Sequence, residues 1–183
     1  MTLRIVNVVA SGTLGRELDV YTVAEDIDAP VVKFPETPYS HPVVYLRSRE
    51  EGPMATVFRS GSYHITGGDS VEETEELKEW LVTRLHRLGI EVDATFDIRN
   101  VVVVGDLATD VDLNQLVVHL GLTQTEYEPE QFPGVIYRPS GFSCVFLIFA
   151  SGRVVVTGAD SADTAFNGFD QLKRELSTIL DSS

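Results

Sequence analysis

Apolar and polar positions alternate along residues 4–11, where β-branched side chains dominate, and the pattern predicts a strand. Asp19 stands where it can cap a helix over about 20–27, with Val20, Val23 and Ile27 on one side. Three further strands are expected at about 42–48, 54–59 and 62–67, and then a longer helix. That helix opens with a capping box at Ser70 and Glu73 and carries Leu77, Leu81, Leu85 and Leu88 as an apolar stripe beside Trp80. The same order then returns. A strand is expected at 97–104, and an Asp112-capped helix bears Leu113, Leu116, Val117 and Leu120 before Gly121 stops it. Strands at 134–138, 143–150 and 153–158 precede a last helix that starts near Ser161 and presents Ala165, Phe169, Leu172 and Leu176.

The recurrence is also written in the residues. The segment from Phe58 to Ser70 matches the segment from Phe149 to Ser161 at Phe, Ser-Gly, Thr-Gly and Asp-Ser, and Asn7-Val8-Val9 is echoed by Asn100-Val101-Val102. A period this long is not that of a solenoid; it marks two homologous halves. We expect them at 1–93 and 94–183. Ser60-Gly61 and Ser151-Gly152 read as tight hairpin turns. Each half is strand–helix–strands–helix, so the fold class expected is α+β: one antiparallel sheet from two pseudo-symmetric repeats, with helices on one side.

The strands are apolar on both faces. Phe146 and Ile148 oppose Val145, Leu147 and Phe149, and Val101 and Val103 oppose Val102 and Val104. A sheet covered on one face by helices should be polar on the other. Here the open face would hold Val9, Phe58, Val102, Leu147, Phe149 and Val155. Such a surface marks either a binding site or a place where a partner or second copy packs.

Charge complicates the choice. The 183 residues carry 28 acidic against 14 basic side chains, a net charge of −14, with eleven arginines and only three lysines. Few lysines on an acidic surface suit a halophilic protein, and an ordinary acidic protein is the alternative. Net negative charge argues against nucleic-acid binding. No apolar run reaches the length of a membrane span, and the N-terminus has no signal-peptide pattern. Cys144 lies in an apolar run and reads as a buried structural thiol, so the expected location is the cytoplasm. His41, His64, His86 and His119 have no metal-ligand spacing. With no phosphate loop and carboxylates on helix faces, nothing suggests an enzyme, a metal or a cofactor.

From Tyr127-Glu128-Pro129-Glu130-Gln131-Phe132-Pro133-Gly134 through Ile136, Arg138 and the run 147–158, the chain resembles the second repeat of archaeal TATA-binding proteins. The resemblance extends over both repeats. It implies a saddle whose concave sheet sits on the minor groove of A·T-rich promoter DNA, bends it, and recruits transcription factor B and the RNA polymerase machinery. Such a protein is a non-catalytic initiation factor, nucleoid-associated in the cytoplasm. Minor-groove binding by aromatic wedges is well established for this family.

The resemblance assigns residues by position. Asn7 and Asn100 would reach base acceptors, with Thr66 and Thr157 beside them. Val9, Val102, Leu147 and Val155 would press on sugars and base edges. Phe132 and Phe149 would be the wedges of the second half, Tyr39 and Phe58 those of the first. Arg138, Ser151 and Arg153 would meet phosphates, and Glu128, Glu130 and Gln131 would hold transcription factor B.

The first half departs from the pattern. Thr56, His64 and Ser62 stand where the second has Leu147, Val155 and Arg153, and Tyr39 replaces a wedge phenylalanine. Asp69 and Asp160 replace the family's lysines after Thr-Gly-Ala. The alternative is therefore a paralogue that acts as a protein-interaction module with weak or no TATA binding. A homodimer through the apolar face is possible when the protein is free.

Overall fold

The computed structural model describes residues 3–34 and 42–180. The described residues divide into two compact units, one within residues 7–99 and one of residues 100–180 with residues 3–6.

The first unit is built on β1 (Arg4–Thr13), β2 (Val31–Lys33), β3 (Val43–Arg47), β4 (Met54–Phe58) and β5 (Ser62–Gly68). These pair antiparallel in the order β2-β3-β4-β5-β1. Helix α1 (Val20–Asp26) packs on β3, and α2 (Val71–Arg87) packs on β4 and β5. Asp19 caps α1 by accepting from the amides of Tyr21 and Thr22, as its type and place predict. Ser70 Oγ accepts from the Glu73 amide at 3.0 Å, but Glu73 reaches one residue further back than an ideal capping box, to the Asp69 amide at 2.7 Å.

The second unit repeats the plan with β6 (Asp97–Asp106), β7 (Thr125–Glu126), β8 (Gly134–Tyr137), β9 (Val145–Phe149) and β10 (Arg153–Ala159). Their order is β6-β10-β9-β8-β7, again antiparallel. Helix α3 (Leu113–Leu120) lies on β7 and β8, and α4 (Ala162–Leu180) on β10. The strand–helix plan matches the sequence pattern, with two additions: β2 and β7 are short edge strands that the pattern did not predict.

Burial follows the alternation. Ala10, Val57, Tyr63 and Ile65 are buried with Leu77, Leu81 and Leu85 of α2. In the second unit Val101, Val103, Val154, Val156, Phe146 and Ile148 are buried, as are Phe169, Leu172 and Leu176 of α4. Cys144 is buried too, and its thiol is pushed up by desolvation. The Tyr63 hydroxyl donates to the Thr95 carbonyl, and burial, with Asp97 and Glu79 adding, pushes its phenol up to about 12. The phenol therefore stays protonated and tethers the 88–99 segment at neutral pH.

The two hairpin glycines are fixed by more than their turns. Gly61 and Gly152 have φ of +83° and +80°, and each carbonyl accepts from the loop after the unit's first long strand: Leu14 N–H to Gly61 and Leu107 N–H to Gly152, both at 2.8 Å. A Cβ on either would collide with backbone, the Arg16 carbonyl in one case and the Thr109 carbonyl in the other. Gly152→Ala should therefore cost about 2 kcal/mol or more of stability, from left-handed strain plus the displaced loop. A thermal midpoint within a degree or so of wild type would contradict that reading.

Candidate nucleic-acid interface

In each unit the strand positions that alternate with the buried ones lie on the face away from the helices, and most are half-buried. In the second unit the middle of this face is apolar. Val104 stands opposite Val155, Val155 opposite Leu147, and Leu147 opposite Ile136, so one row crosses four strands without a polar group. Val102 and Val145 extend it, also half-buried.

At one end of that surface Phe149 meets Phe132, edge to face, with ring centroids 5.6 Å apart. The loop is folded to bring this about: the Glu128 carbonyl accepts from both Gln131 and Phe132 amides at 2.9 Å. Gly134, paired with Phe149 across the strands, makes the room. A Cβ there would lie 3.0 Å from the Phe132 ring and 3.2 Å from the Phe149 ring. Glu128, Glu130 and Gln131 are exposed on the same loop, and Gln131 donates to the Glu128 carboxylate.

Asn100 is held in one orientation. Its Oδ1 accepts from the Gly158 amide at 2.8 Å, where Gly158 sits at φ +81° beside a register shift in the β10–β6 ladder. Its Nδ2 lies 3.2 Å from Thr157 Oγ1. The first unit repeats the device: Asn7 Oδ1 accepts from the Gly67 amide at 2.9 Å, with Gly67 at φ +88°. With each oxygen accepting from backbone, the amide group is oriented, and its remaining N–H is a donor each asparagine can offer a ligand.

The charged candidates are exposed. Arg138 Nε lies 3.2 Å from a Glu126 carboxylate oxygen, and Arg153 stands directly across the ladder from Asp106. Ser151 is exposed at the hairpin tip. Asp160, which departs from the family pattern, accepts from Thr164 Oγ1 at 2.9 Å at the start of α4; the Asp69 amide serves the start of α2.

The first unit places Val9, Phe58 and Thr66 on its corresponding face, half-buried. Tyr39, and most of the loop around it, lies outside the described residues. Phe58 instead has His64 edge-on, with centroids 5.4 Å apart. The row that crosses four strands here is Ser11, His64, Thr56 and Tyr45, each opposite the next. Sequence reading found Thr56 and His64 but not Ser11 and Tyr45. It also left Ile136 off the open face, although Ile136 alternates with buried Val135 and Tyr137.

Comparison with known proteins points to one family. A family model described as "Transcription factor TFIID (or TATA-binding protein, TBP)" matches residues 2–88 and 95–179. The chain is 40% identical to TATA-box-binding protein C of Halobacterium salinarum, over 98% of this chain and all of the relative. It is 37% identical to the TATA-box-binding protein of Archaeoglobus fulgidus, over 97% of this chain and 96% of that one. Among solved structures, Methanococcus jannaschii TBP superposes with a TM-score of 0.82 at 32% identity, covering 97% of this chain and 99% of that one. The α+β repeat fold is thus shared with a solved member.

Proposed function

The chain belongs to the TATA-binding protein family of transcription factors, and from that premise we propose that it binds A·T-rich promoter DNA in the minor groove. In this reading it bends the duplex and recruits transcription factor B and the polymerase machinery. The repeats that do so are 1–93 and 94–183, acting at the nucleoid in the cytoplasm. The observation that carries the reading is the unbroken apolar row of the second unit, with the Phe132–Phe149 pair on the same surface.

The chemistry of the groove fits that surface. A·T pairs present only acceptors at the floor, adenine N3 and thymine O2. Valine and leucine side chains can press on sugars and base edges without leaving a base donor unpaired. The Asn7 and Asn100 amides, held by their glycine N–H groups, supply donors to the floor. Phe149 and Phe132 enter between base pairs, and the unstacking they cause is offset by the surface that the bent duplex brings into contact. Thr66 and Thr157 flank the asparagines, Val9 and Val102 lie beside them, and Phe58 is the first half's wedge with Tyr39. Arg138, Arg153 and Ser151 approach phosphates, and Glu128, Glu130 and Gln131 form the surface for transcription factor B.

Salt reconciles this with the charge. Arg138 shares its charge with Glu126, and Arg153 faces Asp106, so counterion release contributes little. At about 1 M salt, repulsion between the acidic surface and phosphates is screened beyond ~3 Å, while apolar burial persists.

A second reading rests on the polar row of the first unit: a paralogue that keeps the transcription factor B surface but binds TATA DNA weakly. A labelled A·T-rich duplex, titrated with the protein in molar salt with and without transcription factor B, separates the two. The leading reading expects a bent binary complex that the factor shifts further. Binding of the factor without any duplex complex would favour the paralogue. Sedimentation of the free protein tests whether a second copy covers the apolar row when DNA is absent.

A further inference from the structure

The two rows occupy the same place in each unit and differ only in chemistry. Val104, Val155, Leu147 and Ile136 have no hydrogen-bonding side-chain atom; Ser11, His64, Thr56 and Tyr45 each have at least one. We propose that the first-half row, through Thr56 and His64, accepts G·C pairs in the minor groove, whereas the second-half row accepts only A·T. The proposal rests on the minor-groove reading above and sets its sequence specificity.

The reason lies at the groove floor. A G·C pair adds one group there, the guanine N2 amino donor. Pressed against valine and leucine it is stripped of water and left unpaired, which is costly. Thr56 Oγ1 is an acceptor, and the His64 ring opposite it brings nitrogens in place of valine methyls, so the same amino group finds a partner on the first half. Ser11 Oγ already accepts from Arg99 Nε at 2.6 Å, which leaves it its own proton and one further lone pair. Tyr45 ends the row. On A·T pairs the Thr56 hydroxyl donates to adenine N3 or thymine O2, so the row is permissive and does not reverse the preference. His64 is exposed and leans edge-on against Phe58, beside the base step that ring would open.

A palindromic A·T-rich duplex tests this without labelling the protein's orientation, because both orientations on it are equivalent. Affinity is measured at molar salt for the parent, for one G·C replacement in one half, and for one in each half. Wild type should tolerate the first replacement within about 3-fold, turning so that its polar row covers it, and lose about 10-fold or more on the second. The T56L/H64V variant, which carries the second half's residues, should lose about 10-fold on the first replacement already. The reciprocal L147T/V155H variant should tolerate both, and decides the matter if T56L/H64V does not fold by circular dichroism. Equal losses for the first and second replacement in wild type, or a wild-type pattern in either variant, would overturn the proposal. If the parent duplex forms no complex at any salt, the minor-groove reading itself fails, and this inference with it.

Discussion

Phe149→Ala should weaken binding to an A·T-rich duplex by about 10- to 100-fold and abolish most of the bend, while leaving the fold intact. The ring is half-buried and its main neighbour is Phe132, edge to face at 5.6 Å, so removing it opens no cavity in the helix-covered core. What is lost is contact with a base. Base–aromatic stacking is worth about 1–3 kcal/mol per base, and the kink depends on the inserted ring. Phe132 would also lose the partner that holds its orientation, so the two substitutions should be less than additive. Bending by fluorescence transfer on an end-labelled duplex reads the result directly. An unchanged bend angle in Phe149→Ala would remove this ring from the wedge.

Asn100→Asp is the second large effect, and the more diagnostic one. The carboxylate is nearly isosteric, and an oxygen remains to accept from the Gly158 amide at the 2.8 Å contact, so the bulge in β10 should survive. The Nδ2 donors are gone. In their place an acceptor faces acceptors on the bases, in a setting stripped of water, at a cost of roughly 2–4 kcal/mol, or about 30- to 1000-fold in affinity. Asn100→Ala removes the donor but also leaves the Gly158 amide without its partner, so it should lose thermal stability as well. The expected signature is a split. The aspartate variant keeps the thermal midpoint and loses DNA; the alanine variant loses both. DNA affinity near wild type in Asn100→Asp would mean that the side chain serves the bulge alone.

Much of this was legible along the chain. The duplicated Phe-x-Ser-Gly and Thr-Gly segments lie on equivalent strands of the fold, and alternation separated buried Phe146 and Ile148 from half-exposed Leu147 and Phe149. Capping at Asp19, Ser70 and Asp112 followed from residue type and place. What was not legible was set by contacts distant in sequence. Strands β2 and β7 span three and two residues, too few to show a period. β1 and β6 run two residues past their predicted ends, through Gly12 and Gly105. Those glycines are not breaks but close approaches: a side chain at 12 would strike the Thr95 carbonyl and the Tyr63 ring, and one at 105 would strike Phe169 and Leu3.

The interface was divided in the same way. Thr56 and His64 stood out because the repeat aligns them with Leu147 and Val155. Ser11 and Tyr45 did not, because the register that joins them to that pair runs across four strands. The orientation of Asn7 and Asn100 was equally hidden. It comes from glycine amides 60 and 58 residues away, exposed by ladder irregularities that no local pattern announces.

The charge of −14 and the apolar row make opposite demands on solvent, and that opposition gives the most direct test of the account. Affinity for one A·T-rich duplex should be measured from about 0.1 M to about 3 M potassium chloride, at constant temperature. A complex held by apolar burial, with Arg138 beside Glu126 and Arg153 across the ladder from Asp106, should be weak at the low end, tighten toward molar salt, and then hold nearly level. A complex that is tightest at low salt and falls steadily and steeply as salt rises would contradict the account, because phosphate neutralisation would then be what holds the DNA.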